Sequence, residues 1–156
     1  LLSVDGAGGA PLRQLDSRLG RSLMLSNDAT HGHHPNYPEK QESSYLPLLG
    51  EGPTVKLSAA RRYATEPAAA AQLRLLAERA SVPLQEIQNR ADVPAGTTVG
   101  PMSSASSLLP TADLGIPILA MHSTRETAHM RDITLMTTLM KAFFGSEMTS
   151  REPRIF

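Results

Sequence analysis

The chain has 156 residues, 40% of them hydrophobic, with 15 basic residues balanced by 15 acidic ones and no cysteine. This length and composition suit one folded domain; the balanced charge carries no basic stripe of the kind nucleic acid demands, and no apolar run nears the roughly 20 residues that span a bilayer. Without cysteine there is neither a disulfide framework nor a thiolate metal site, so any metal must be held by His, Asp or Glu, and the expected setting is intracellular, cytoplasmic first with mitochondrial or vacuolar alternatives. Aromatic residues make up 4% and tryptophan is absent, so Leu, Ile, Val, Met and Ala must build the core. The abrupt start, Leu1-Leu2-Ser3 followed by Gly6-Ala7-Gly8-Gly9, reads as a piece of something larger.

Pro11 to Leu25 carries Leu12, Leu15, Leu19 and Leu23 at spacings of three and four, a helical stripe. Its end, Ser22 to Ser26, fits a short buried strand equally well. Asn27 to Lys40, dense in His, Asn, Pro and Asp, reads as a loop. Gly52-Pro53 leads into a strand at Thr54 to Leu57. Glu66-Pro67 opens a helix, because proline is accepted in the first turn, and strong helix formers continue it to Ala80. Leu84 to Asn89 is a short strand, and Gly96 to Leu109, rich in small residues, a closely packed helix. Leu114 to Met121 is an apolar run interrupted by Pro117, which suits a strand end or a sheet edge. Ile133, Met136, Leu139, Met140 and Phe143 share one helical face, with Gly145 where a C-cap belongs. Ser146 to Phe156 reads as a loosely held tail. The alternation of strands and helices predicts an α/β layered fold over residues 1–156, as one domain or part of one.

Chemistry concentrates in Ser26 to Tyr37, where Asp28, His31, His33 and His34 follow a predicted strand. Functional side chains gather at strand ends in α/β sheets, and Asp and His are ordinary zinc ligands. A polar surface loop with inert imidazoles reads the same residues differently. His122, in Met121-His122-Ser123-Thr124-Arg125-Glu126, is either a metal ligand or a buried strand-end histidine; Arg125 and Glu126 read as a solvated ion pair. Lys56 could bind a carboxylate or snorkel to water. Tyr63 could donate to a developing oxyanion or be a core-edge aromatic. His129 reads as solvent-facing at the entry to the last helix.

These pieces in this order resemble the aspartyl aminopeptidase family, which includes vacuolar aminopeptidase I. The matching strings are Ser26 to Tyr37; Gly52-Pro53-Thr54-Val55-Lys56; Arg62-Tyr63-Ala64-Thr65; and Pro83-Leu84-Gln85 with Arg90-Ala91-Asp92. They continue with Gly96-Thr97-Thr98-Val99-Gly100-Pro101, then Asp113-Leu114-Gly115-Ile116-Pro117 before Met121 to Glu126. Gly6-Ala7 extends the match upstream.

The resemblance implies the C-terminal part of a three-layer zinc-exopeptidase (phosphorylase/hydrolase-like) sheet with flanking helices. It implies two divalent ions, zinc by preference, acting on peptides with acidic N-termini. Asp28 would ligate one metal and His122 the other. Lys56 would face the substrate's acidic side chain, Tyr63 would stabilise the oxyanion, and His31 would line the site; His34 would support the loop or a subunit contact. The family's upstream histidine, bridging aspartate and glutamate pair have no equivalent in this chain. Gln41 and Tyr45 stand where histidines are common, Thr30 and Gly32 where alanines are, and Ala91 replaces an asparagine.

Two expectations follow. The chain is one part of a two-metal aminopeptidase, completed by an N-terminal segment or a partner chain within an oligomer. Alternatively it is a catalytically inactive, truncated relative serving as a structural or interaction subunit. A one-site metal module would need further ligands such as His33 or His129.

Overall fold

The structure, a computed structural model, describes residues 19, 22–90, 92–93, 96 and 98–146. Most of the helix predicted before Leu25, and the tail after Ser146, lie outside the described residues. A mixed sheet forms the centre, built from β1 (Met24–His31), β2 (Thr54–Leu57), β3 (Gln85–Gln88), β4 (Thr111–Leu119) and the short β5 (Thr127–Ala128). Its order is β1-β4-β2-β3, with β5 added to β4. β1 runs parallel to β4 and β3 parallel to β2, while β2 and β4 are antiparallel. Among the described residues, three α-helices flank it: α1 (Pro67–Arg79), α2 (Gly100–Ser107) and α3 (Met130–Gly145).

Alternation along the strands divides the sheet into two unlike faces. Val55, Ala112 and Leu114 point to one side and are fully buried. There they meet Ala69, Leu73 and Ala77 of α1 and Met136 and Leu139 of α3. Each buried leucine in this layer contributes about 1.5–3 kcal/mol relative to exposure. The intervening residues, Thr54, Lys56, Thr111 and Asp113, are polar and equally buried, so the opposite face is a polar one. The start of α2 covers part of it, for a Cβ added at Gly100 would collide with the Asp113 carboxylate.

Helix α1 follows the sequence closely: proline sits in the first turn, and Ala69, Ala70, Leu73, Leu76 and Ala77 form the buried stripe. Elsewhere the structure departs from the patterns. Asn27 to His31 is strand, not loop, because β1 pairs with β4 residue by residue from Met24↔Thr111 to His31↔Ile118. β4 starts at Thr111 and lies inside the sheet, not at its edge. Pro117 is tolerated because β2 pairs only with Leu114 and Gly115 on β4's second side, and β5 only with Ile118 and Leu119. On α3, Ile133 remains 41% exposed; the buried face runs through Asp132, Met136 and Leu139 instead. Gly145 is the last helical residue, and the chain leaves through an extended Ser146 without a left-handed cap.

Candidate functional site

The polar face places three of the sequence-predicted residues in contact. Lys56, in the middle of β2, is 2% exposed. Its Nζ lies 3.7 Å from Asp28 Oδ2 on β1 and 5.7 Å from the centre of the Tyr63 ring. The lysine therefore does not snorkel to water. Desolvation lowers its pKa, and the Asp28 and Asp113 charges only partly oppose that. The aspartate side chain is 60% exposed, so solvent screens the attraction.

Tyr63 is half-buried in the turn after β2. Desolvation, then the charges of Asp113 and Asp28, raise its pKa, so the hydroxyl keeps its proton at neutral pH. That hydroxyl has no hydrogen-bond partner among the described residues. Thr54 Oγ1 is likewise a buried hydroxyl without a partner among them. It lies on the same rung as Asp28, since both pair with Gly115. The face thus retains unused hydrogen-bonding capacity.

His31 ends β1. Much of its surface is open, yet desolvation lowers its pKa, followed by repulsion from His122 and from Lys56. His122 is exposed and lies three residues beyond β4. Its backbone is left-handed, with φ 68°, which costs a non-glycine residue about 1–2 kcal/mol. Glu126 supports this turn: its Oε1 accepts the His122 N–H at 2.6 Å rather than forming the predicted ion pair with Arg125. Strained backbone of this kind concentrates at functional positions.

Among the described residues no hydrogen bond or ion pair joins Asp28 to His122; Asp28 meets Lys56, while the charges of His122 and Lys56 both act on His31. Among the described residues no three His, Asp or Glu side chains form a group able to hold a metal. The remaining histidines serve the fold. The His34 ring lies 5.1 Å from that of Tyr37, and its Nδ1 accepts the Asn36 N–H. His129 is exposed and caps α3 by accepting the Arg131 N–H.

Several residues that shape the site carry little signal in the sequence. Gln41 meets His33 Nδ1 at 3.0 Å and donates to the His31 carbonyl at 3.2 Å, bracing the loop behind β1. Asp113 accepts from the Ala64 N–H and, at 3.3 Å, from the Thr98 hydroxyl. It stands in a string that resembles the family, but nothing in its local pattern, a carboxylate between Ala112 and Leu114, marks which donors it will meet. Asp132 accepts from Gly50 N and Gly52 N at 2.7 and 2.8 Å, and nothing in the helical pattern marks it.

A family described as aminopeptidase I zinc metalloprotease (M18) matches residues 7–144. The chain is 43% identical to aspartyl aminopeptidase 4 of Saccharomyces cerevisiae over 135 residues, covering 86% of this chain and 27% of that protein. It is 38% identical over 143 residues to a probable M18 family aminopeptidase 2 of Mycobacterium tuberculosis, covering 92% and 33%. Among solved structures, the Ape4–Nbr1 complex superposes with a TM-score of 0.79 at 38% identity, over 81% of this chain and 24% of that one. The prApe1 crystal structure gives 0.78 at 28% identity, over 89% and 32%. The chain thus spans about a third of the length of the curated relatives it matches.

Proposed function

The chain belongs to the aminopeptidase I family of zinc metalloproteases (M18), and on that premise we propose that it supplies one part of a two-metal site removing acidic residues from peptide N-termini. The observation that carries this reading is the buried Lys56 ammonium, set between the Asp28 carboxylate and the Tyr63 ring. A substrate carboxylate that reaches this ammonium gains a charge-assisted hydrogen bond. Tyr63, which holds its proton, is a donor for the oxyanion that forms as the peptide carbonyl is attacked. His31, whose protonation is disfavoured by burial and by the His122 and Lys56 charges, ends the same strand that carries Asp28.

The donor set fits zinc in kind: a carboxylate oxygen at Asp28 and an imidazole nitrogen at His122, both reachable from solvent. It falls short in number, since a catalytic zinc takes about three protein ligands. Asp28 would hold one ion and His122 the other. The ions would polarise the carbonyl and lower the pKa of water. The other ligands and the general base would come from a further segment or a partner chain. An oligomeric setting is part of the proposal, supported by a similar structure, that of the mApe1 dodecamer of Saccharomyces cerevisiae, with a TM-score of 0.72 at 28% identity.

The shortage of ligands also favours a second reading, an inactive structural subunit. A chimera separates the two, with residues 7–144 replacing the matching segment of aspartyl aminopeptidase 4. The peptidase reading expects zinc binding and hydrolysis of aspartyl and glutamyl peptides, lost in Asp28→Asn and His122→Ala, with acid preference lost in Lys56→Met. A folded chimera that takes up no zinc and cleaves nothing would establish the structural reading.

A further inference from the structure

We propose that Asp113 is a positioning residue: from within the polar face it clamps the Arg61–Thr65 turn so that the Tyr63 ring stays over the Lys56 ammonium. The meaning of this clamp for catalysis rests on the roles given above to Tyr63 and Lys56; the clamp itself does not.

Asp113 has no exposed surface, although it lies mid-strand between residues that face the apolar core. Its carboxylate accepts the Ala64 N–H and the Thr98 hydroxyl. Its backbone N–H donates to Thr65 Oγ1 at 2.9 Å. The two residues that follow Tyr63 are therefore both tied to one aspartate. On the other side of the ring, Arg61 adopts a left-handed φ of 53°, a conformation that persists only where neighbouring structure enforces it. The register Thr54↔Gly115 and Val55↔Leu114 brings Lys56 alongside Asp113 one step further on.

A buried carboxylate is costly unless its oxygens are satisfied; here one is satisfied by the turn it holds and the other by the Thr98 hydroxyl. Gly100 completes the arrangement. With no Cβ it lets the start of α2 close over the carboxylate, excluding water that would otherwise compete for the Ala64 N–H. A role in packing alone would be served as well by valine or leucine, which avoid the cost of burying a charge. The charge also reaches both partners, for Asp113 acts on Lys56 and on Tyr63.

The test is the nuclear Overhauser signal between the Tyr63 ring protons and the Lys56 methylenes in the 156-residue chain. Asp113→Ala should remove most of that intensity while the β1–β4 amide signals persist. Asp113→Asn should retain it, because the amide oxygen still accepts from Ala64 and the amide nitrogen can donate to the Thr98 hydroxyl. Should Asp113→Ala fail to fold, Gly100→Ala provides the same reading, since its methyl would push the carboxylate out of place. Wild-type intensity in the alanine variants, or a signal that vanishes in Asp113→Asn as fully as in Asp113→Ala, would overturn the clamp. In a chimera that is active, Asp113→Ala should lower kcat at least about ten-fold and Asp113→Asn should recover it. Signals that respond as expected in a chimera without peptidase activity would uphold the clamp and remove the peptidase reading alone.

Discussion

At the scale of single residues, charge placed where water is scarce decides what the polar face can do. Lys56 is the clearest instance, because a buried ammonium pairs only weakly with an exposed aspartate. Lys56→Met keeps the stem volume and removes the desolvation cost. We expect unfolding stability in urea to stay level or rise by about 1–2 kcal/mol; a decrease larger than about 1 kcal/mol would show that the ion pair stabilises the fold. His31 gives the pH dependence. Its folded pKa lies below the ordinary 6.5, so between the two values the unfolded chain binds more protons than the folded one. Stability therefore rises with pH through that window and falls on acidification. Urea midpoints between pH 7 and pH 5 should show this slope, and His31→Asn should flatten it. An unchanged slope in the variant would assign the effect to another group.

At the scale of elements, two close approaches hold the functional strands and loops in register. A Cβ at Gly115 would run into the Asp28 carbonyl, so Gly115→Ala should part β1 from β4 and lower the melting temperature, with amide protection falling most around Asp28. Asp132 accepts from both Gly50 and Gly52 while fully buried. Asp132→Ala leaves those donors unsatisfied and should cost about 2–4 kcal/mol in urea unfolding, with Asp132→Asn costing less. The sequence predicts well the elements whose own residues determine them: α1, with its alanines and leucines, and the short strands β2 and β3. It misjudges elements that partners determine. Asn27 to His31 has loop composition, yet β4 supplies a complete row of backbone partners and makes it strand. Pro117 signals an edge, yet falls in the interval between β2 and β5. The loop-rich motif at Asp28 is visible because its residue types are rare in combination. Asp113 and Asp132 are not, since a lone carboxylate in an apolar run does not disclose which backbone donors will reach it.

At the scale of the molecule, the described residues bring the Lys56 ammonium to the Asp28 carboxylate and the Tyr63 ring. They do not hold a complete metal group. The 156-residue polypeptide by itself should therefore leave aspartyl and glutamyl peptides intact with zinc or manganese added, assayed by release of the free amino acid. Sustained hydrolysis by that pure polypeptide would mean that these residues suffice. On the proposed reading, Asp28 and His122 serve one site from its two sides. A zinc-edge anomalous difference map of the crystalline chimera tests it most directly. One peak is expected at ligand distance from the Asp28 carboxylate and a second at ligand distance from the His122 imidazole. Peaks whose coordination is complete while both side chains turn elsewhere would contradict it.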